Sequence, residues 1–196
     1  MSFCEERFHT IDYLAEGNGS QRSAYEILMK LKVIQSLKVY DPILIGTVPI
    51  DLNIAGSDLD IACEVSDMKV FVQRAYELYG ACDGYRCIHR LKDEVERSVV
   101  HFEYAGWPIE IFGQPVPTKQ QNGYKHMIVE AKILALLGSE RKEQIKLLKR
   151  SGLKTEPAFG QLLGLQGDPY RALTDMYHWN DEQLLHMVKM SMDEVV

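Results

Sequence analysis

Apolar positions recur along this chain with two periods, and the change from one to the other divides it. Between residues 20 and 38, Ala24, Ile27, Leu28, Leu31, Ile34 and Leu37 fall on one helical stripe, with Ser20 placed to cap it. The run "DPILIGT" (41–47) is short and continuously apolar, the pattern of a buried strand. In "SDLDIACEV" (57–65) the period drops to two, and Leu59, Ile61, Cys63 and Val65 share one face. Residues 67–79 return to helical spacing through Val70, Phe71, Ala75 and Leu78, and Gly80 closes the segment.

A strand is expected at 85–91, then a hairpin in "RSVVHFEYAGWPIEIFG" with a tight turn at Ala105-Gly106. A two-residue turn there pairs Tyr104 with Trp107, Phe102 with Ile109 and Val100 with Ile111. Those six side chains make one apolar face. His101 then faces Glu110 on the other side, with Glu103 diagonal to it. From residue 123 onward the period is helical, over 123–138, 139–151, 155–165, 168–177 and 180–194. Ser139, the pair Asp168-Pro169, and Asn180 with Gln183 supply start signals. The fold class is α/β (α+β): a small mixed sheet with flanking helices in residues 1–118, then a helical lobe in 119–196.

Side chains two apart on a strand point the same way, so Asp58 and Asp60 share a face. At a separation of about 7 Å they repel by roughly 2 kcal/mol at an effective dielectric near 20. Folding has no use for that repulsion. A bare Asp-x-Asp is most simply an exposed strand edge. Its alternative is a seat for Mg²⁺ or Mn²⁺, which hard carboxylate oxygens suit. What precedes it favours the second reading. Gly46-Thr47 ends the preceding strand, ten residues lie between Thr47 and Asp58, and Ser57 abuts the acids. Glycine lets backbone approach a phosphate, and a hydroxyl beside free N–H groups makes an anion seat. Glu110, between apolar neighbours in "PIEIF", and Glu103 are later acids on the free face of the hairpin.

The unit "IGT", ten residues, "SDLDI", followed by a later strand acid, resembles the signature of the nucleotidyltransferase superfamily with the DNA-polymerase-beta-like fold. The chain as a whole is similar to a bacterial family within it. Two positions depart from the usual pattern: Thr47 stands where Gly or Ser is commoner, and Glu110 where Asp is commoner. The resemblance implies a nucleoside triphosphate such as ATP with its phosphates near Gly46, Thr47 and Ser57. It implies a third acid on a later strand, which Glu110 supplies with Glu103 as the alternative. It also implies two metal ions, Mg²⁺ or Mn²⁺, on Asp58, Asp60 and Glu110, and transfer of a nucleoside monophosphate to an acceptor. The acceptor stays open among a small molecule, an RNA end and a protein side chain. The alternative is a catalytically inactive relative that binds nucleotide or protein.

Other features are weaker. Lys142, Lys146, Lys149 and Arg150 form one basic stripe, either a solvated helix face or a contact for phosphates. The polar connector 112–127 leaves the strand of Glu110, so Gln114, Gln121, Asn122, Tyr124, Lys125 and His126 are candidates to read a base or, for Lys125 above all, to hold phosphate. His101 is placed to support Glu110; His89, His126, His178 and His186 have no metal-ligand spacing. Net charge is −6, which excludes a generic nucleic-acid coat and requires any such role to rest on a local patch. Cys4, Cys63, Cys82 and Cys87 match no zinc spacing and are expected as free thiols. "MSFCEERFHT" carries no secretory pattern and no apolar run is long enough for a membrane, so the expected location is cytoplasmic.

Overall fold

The structure is a computed structural model that describes residues 3–92 and 95–193. Five strands form one sheet in the order β1-β2-β5-β4-β3: β1 Ile43–Ile45, β2 Leu59–Glu64, β3 Asp83–Lys92, β4 Val95–Tyr104 and β5 Trp107–Gln114. β2 and β5 run parallel; the other neighbours are antiparallel. The sheet is therefore mixed, as the sequence pattern predicts. Ala105 (φ 49°) and Gly106 (φ 82°) make the hairpin turn with two left-handed residues, the geometry that follows the twist of the flanking strands. This fixes the register. Tyr104 pairs with Trp107, Phe102 with Ile109, Val100 with Ile111 and His101 with Glu110, the pairing expected from the sequence.

That register gives the sheet an inner and an open face. Leu59, Ile61, Cys63, Val100, Phe102, Ile109 and Ile111 turn inward. There they meet helix α1 (Gly19–Leu31) through Ala24, Ile27 and Leu28, and helix α3 (Met68–Tyr79) through Met68, Phe71, Ala75 and Tyr79. Tyr79 stacks on Phe102 with ring centroids 4.9 Å apart. A second cluster joins the later helices α4 (Asn122–Arg150), α5 (Thr155–Leu163), α6 (Pro169–Met176) and α7 (Asp181–Asp193) to Phe8, Ile43, Ile50 and Leu52 from the first half.

Three local expectations change. The helix foreseen over 20–38 is broken: α1 ends at Lys32, which is left-handed (φ 52°), and a short helix α2 (Val33–Ser36) follows. The break rotates the buried stripe onto Val33 and Leu37, so the apolar periodicity reads as continuous across it. The cap of α1 is Asn18 rather than Ser20, exchanging hydrogen bonds with Gln21 in a capping box. The strand foreseen at 41–47 narrows to Ile43–Ile45, because Asp41 is left-handed and Gly46 turns the chain away. The expected caps do form at Asp168, which accepts from the N–H of Tyr170, and at Asn180, which exchanges bonds with Gln183. Residue 194, the expected end of the last helix, lies outside the described residues. Among the described residues no helix is long and apolar enough to cross a membrane.

The two helical runs foreseen at 123–138 and 139–151 meet in α4 at Gly138, whose φ of 79° and ψ of −178° only glycine adopts readily. The bend turns the second half of α4 toward the loop after β1. Gly138→Ala should therefore lower stability by about 1–3 kcal/mol in urea unfolding. An unchanged or higher midpoint would show that a straight helix fits equally well, since alanine is otherwise preferred to glycine in a helix by roughly 1 kcal/mol.

Candidate active site

The strand pairing decides where the acids go. Asp60 is directly opposite Glu110 across the parallel β2–β5 pair, and both project from the open face. Asp58, two residues before Asp60, follows the same direction just ahead of β2. The three carboxylates converge so that one oxygen from each lies within 4.8 Å of the others. Each pair of charges at that distance repels by roughly 3 kcal/mol at an effective dielectric near 20. Leu59 and Ile61, alternating with the acids, are fully buried on the inner face and hold the strand against that repulsion. Glu103 does not join the group: it stands in register with Pro108, beyond His101, and is exposed.

Electrostatics follow from this crowding. Burial first, then the neighbouring Asp58 and Glu110, push the Asp60 carboxyl up to about 8. The donor set is all hard oxygen and is deficient in positive charge, so it fits a divalent cation. Behind Glu110, His101 Nδ1 lies 2.7 Å from Glu110 Oε1 and holds the carboxylate in place.

The loop after β1 closes over Asp60. Gly46 has φ 80°, and a Cβ there would stand 2.4 Å from Asp60 Oδ2, so backbone conformation and space both require glycine. Gly46, Thr47, Ser57, Asp58 and Asp60 line one cleft of about 310 Å³. Ser57 Oγ accepts the N–H of Ile54 at 2.9 Å and closes the turn that presents Asp58. Between Thr47 and Ser57 the chain is fastened by Asp51. Its carboxylate accepts from Lys142 Nζ at 2.5 Å, Lys146 Nζ at 3.1 Å and Asn18 Nδ2 at 2.7 Å. Burial opposes ionisation of Asp51, but the two lysines outweigh it and hold its carboxyl below the ordinary range.

The facing wall of the cleft comes from α4 and α5 and adds His126, Glu130, Lys149, Lys154 and Glu156. Lys149 is buried and donates to the carbonyl of Leu52 at 2.8 Å. Burial lowers its pKa, while Glu130, Glu156, Asp58 and Asp60 oppose that loss of charge. Glu130 is driven well above its ordinary value by burial and by Glu156. His126 Nδ1 sits 3.3 Å from Glu156 Oε1, and its Nε2 meets Thr174 Oγ1 at 2.8 Å. The basic stripe thus divides: Lys142 and Lys146 fasten the loop, and Lys149 faces the acids. Lys125, a sequence candidate for phosphate, is not in the cleft lining; its Nζ lies 5.8 Å over the ring of Tyr177. Gln121 is spent on the carbonyls of Cys63 and Val116, and Tyr124 on Glu5. Sequence reasoning missed Glu130. Its signal was a carboxylate interrupting the apolar run "MIVEA".

The pH dependence has a definite sign. Unfolded, Asp60 ionises near 3.8; folded and metal-free, near 8. Between those values the folded state holds the extra proton, so stability is lost as pH rises through that window. Asp60→Asn removes the effect. In chelator, the variant should come closest to wild type near pH 4 and melt progressively higher as pH rises to 8, where about 1 kcal/mol corresponds to roughly 2–4 °C. Adding Mg²⁺ at pH 8 should close the gap from the wild-type side. A constant difference between the two proteins across pH would contradict the crowding of the trio.

Comparison with known proteins agrees with this architecture. A poly(U) polymerase, Cid1, solved with Mg and 3′-dATP bound, superposes with a TM-score of 0.50 at 11% identity, covering 83% of this chain and 52% of that one. The polymerase core of TRAMP, an RNA surveillance complex, superposes with a TM-score of 0.50 at 13% identity, covering 96% of this chain and 64% of that one. The chain thus spans about half to two thirds of the length of these neighbours, and at such identity the likeness is one of fold: that of nucleotidyltransferases. No curated protein matches the sequence. The family model described as "Domain of unknown function (DUF4269)" matches residues 26–176, and with most of its length inside that match the chain belongs to this family.

Proposed function

We propose that this protein is a metal-dependent nucleotidyltransferase, moving a nucleoside monophosphate from a nucleoside triphosphate to a hydroxyl acceptor. The observation that carries the reading is the convergence of Asp58, Asp60 and Glu110 within 4.8 Å beside the Gly46 turn, on a nucleotidyltransferase fold. Asp58, Asp60 and Glu110 are the residues that would hold Mg²⁺ or Mn²⁺. Such ions, when bound, neutralise the oxygens of a triphosphate and favour ionisation of an attacking hydroxyl.

The chain's own groups supply the rest. The Gly46-Thr47 turn brings backbone close to the phosphates, and the Thr47 and Ser57 hydroxyls donate to them. Lys149 and Lys154, across the cleft, balance the charge of the triphosphate. The acceptor oxygen attacks the α-phosphorus, the bond to the β-phosphate oxygen breaks, and pyrophosphate leaves. Glu110, oriented by His101, receives the hydroxyl proton. Burial of Asp60 and the fastening of the loop by Asp51 keep this arrangement in place before substrate arrives.

Two measurements test it. With Mg²⁺ present, a nucleoside triphosphate at a hundred times its Kd should add about 2.7 kcal/mol to stability, a rise in Tm of several degrees. Asp58→Asn with Asp60→Asn should abolish the metal-dependent part, and Gly46→Ala should weaken it by displacing Asp60. A double variant that responds like wild type would remove the site assignment. Pyrophosphate release across a panel of acceptors then separates transfer from binding alone. Metal-dependent binding with no release from any acceptor would favour the inactive module.

A further inference from the structure

The open face of the sheet continues past the acids. The β3–β4 register sets Arg86 opposite His101, Ile88 opposite Val99 and Arg90 opposite Arg97. On the next strand, Glu110 is in register with His101 and Phe112 with Val99. Three rows therefore cross this face. The first is Arg86, His101 and Glu110, leading to Asp60. The second is apolar: Ile88, Val99 and Phe112. The third is Arg90 and Arg97. Two cavities occupy this surface, of about 430 and 370 Å³, and share Arg97, Glu110 and Phe112. The first of them also reaches Asp60. The groove is thus continuous with the acidic trio, and where it reaches Asp60 it also meets Asn122 and Gly123 at the start of α4.

Its charge is unusual for this molecule. The chain carries a net charge of −6, yet three of its nine arginines stand on this one face. Arg90 and Arg97 are direct cross-strand partners, a like-charge pairing that weakens a sheet. Among the described residues none of the three makes an ion pair with a carboxylate. Arg97 Nε instead donates to Gln114 Oε1 at 3.2 Å, which holds its guanidinium over the groove. Arg86 and Arg90 are four residues apart on one strand, about 13 Å, so a single phosphate cannot bridge them. The ligand that matches is a chain of anions with flat apolar groups between them. Cations along a groove with an aromatic side chain among them are what a single-stranded nucleic acid requires.

We propose that this face holds a single-stranded nucleic acid, with phosphates on Arg86, Arg90 and Arg97, a base on Phe112, and the terminal hydroxyl beside Glu110. The inference rests on the transferase reading for what happens at that hydroxyl; the binding itself does not.

The test is fluorescence anisotropy with a labelled twelve-nucleotide RNA, in chelator and without triphosphate. Wild type should bind, with log affinity falling against log salt at a slope near −2, since each neutralised phosphate on a single strand contributes about −0.7. Arg90→Ala with Arg97→Ala should weaken binding by about tenfold or more and bring the slope to about −0.7. Its Tm should equal or exceed that of wild type, because a repelling pair has gone. Phe112→Leu should weaken binding without changing the slope. Asp58→Asn with Asp60→Asn should still bind the strand, so loss of metal and triphosphate binding there leaves this inference standing. Absence of binding by wild type, or binding by the double-arginine variant with unchanged affinity and slope, would overturn it. Full competition by a mononucleotide at concentrations equal to the oligonucleotide would also overturn it, reassigning the face to a small phosphorylated molecule.

Discussion

Three carboxylates held within 4.8 Å of one another are the constraint around which the rest of this molecule is arranged. With all three ionised and no cation present, each pair costs a few kcal/mol, a large fraction of the stability of an ordinary domain, and Asp60 holds its proton to about pH 8 in response. The strands do not relax because their alternate side chains are buried. Leu59 and Ile61 on β2, and Ile109 and Ile111 on β5, are in the inner core. A one-residue slip of either strand would release the acids but would turn those apolar groups to solvent. The hairpin turn at Ala105-Gly106 sets which residue of β4 meets Glu110, so a turn far from the chemistry places His101 against the third acid.

The loop between Thr47 and Ser57 shows a complementary arrangement. Its one carboxylate, Asp51, is surrounded by positive charge, and Gly46, just ahead of the loop, stands hard against Asp60. The lysines that fasten it come from the second half of α4, beyond the bend at Gly138. The helical wall and the phosphate-side turn are therefore mechanically joined. Lys149 belongs to the same helix and lines the cleft with the acids, placing a buried cation beside a half-buried excess of negative charge. The opposite sign of charge appears again on the open sheet face, where Arg90 and Arg97 confront each other across two strands. Neither repulsion assists folding, and both lie along one continuous surface.

Much of this was legible in the sequence where a single period governs. The alternation in "SDLDIACEV" gave β2 its two faces, and a two-residue turn sufficed to place His101 against Glu110. Capping signals at Asp168 and Asn180 were local and therefore readable. The failures are of a different kind. The helix over 20–38 kept its apolar stripe through the bend at Lys32, so periodicity alone did not report the break. The partition of the lysine stripe depended on which side chains Asp51 claims, ninety residues away. Glu130 looked like one more charge in a helix until packing closed around it. The arginine rows needed the register of three strands at once, and β3 carries no turn signal that pins it from sequence.

The most direct test of the central claim is the titration of the Asp60 carboxyl itself, followed by ¹³C NMR of the side-chain carbonyl in the intact protein. In chelator, the carboxyl is expected to titrate near 8, because burial and its two acidic neighbours resist its charge. With Mg²⁺ present, its midpoint should fall well below neutrality, since cation binding and proton release are linked. A midpoint near the ordinary 3.8 in chelator, unmoved by Mg²⁺, would contradict the account.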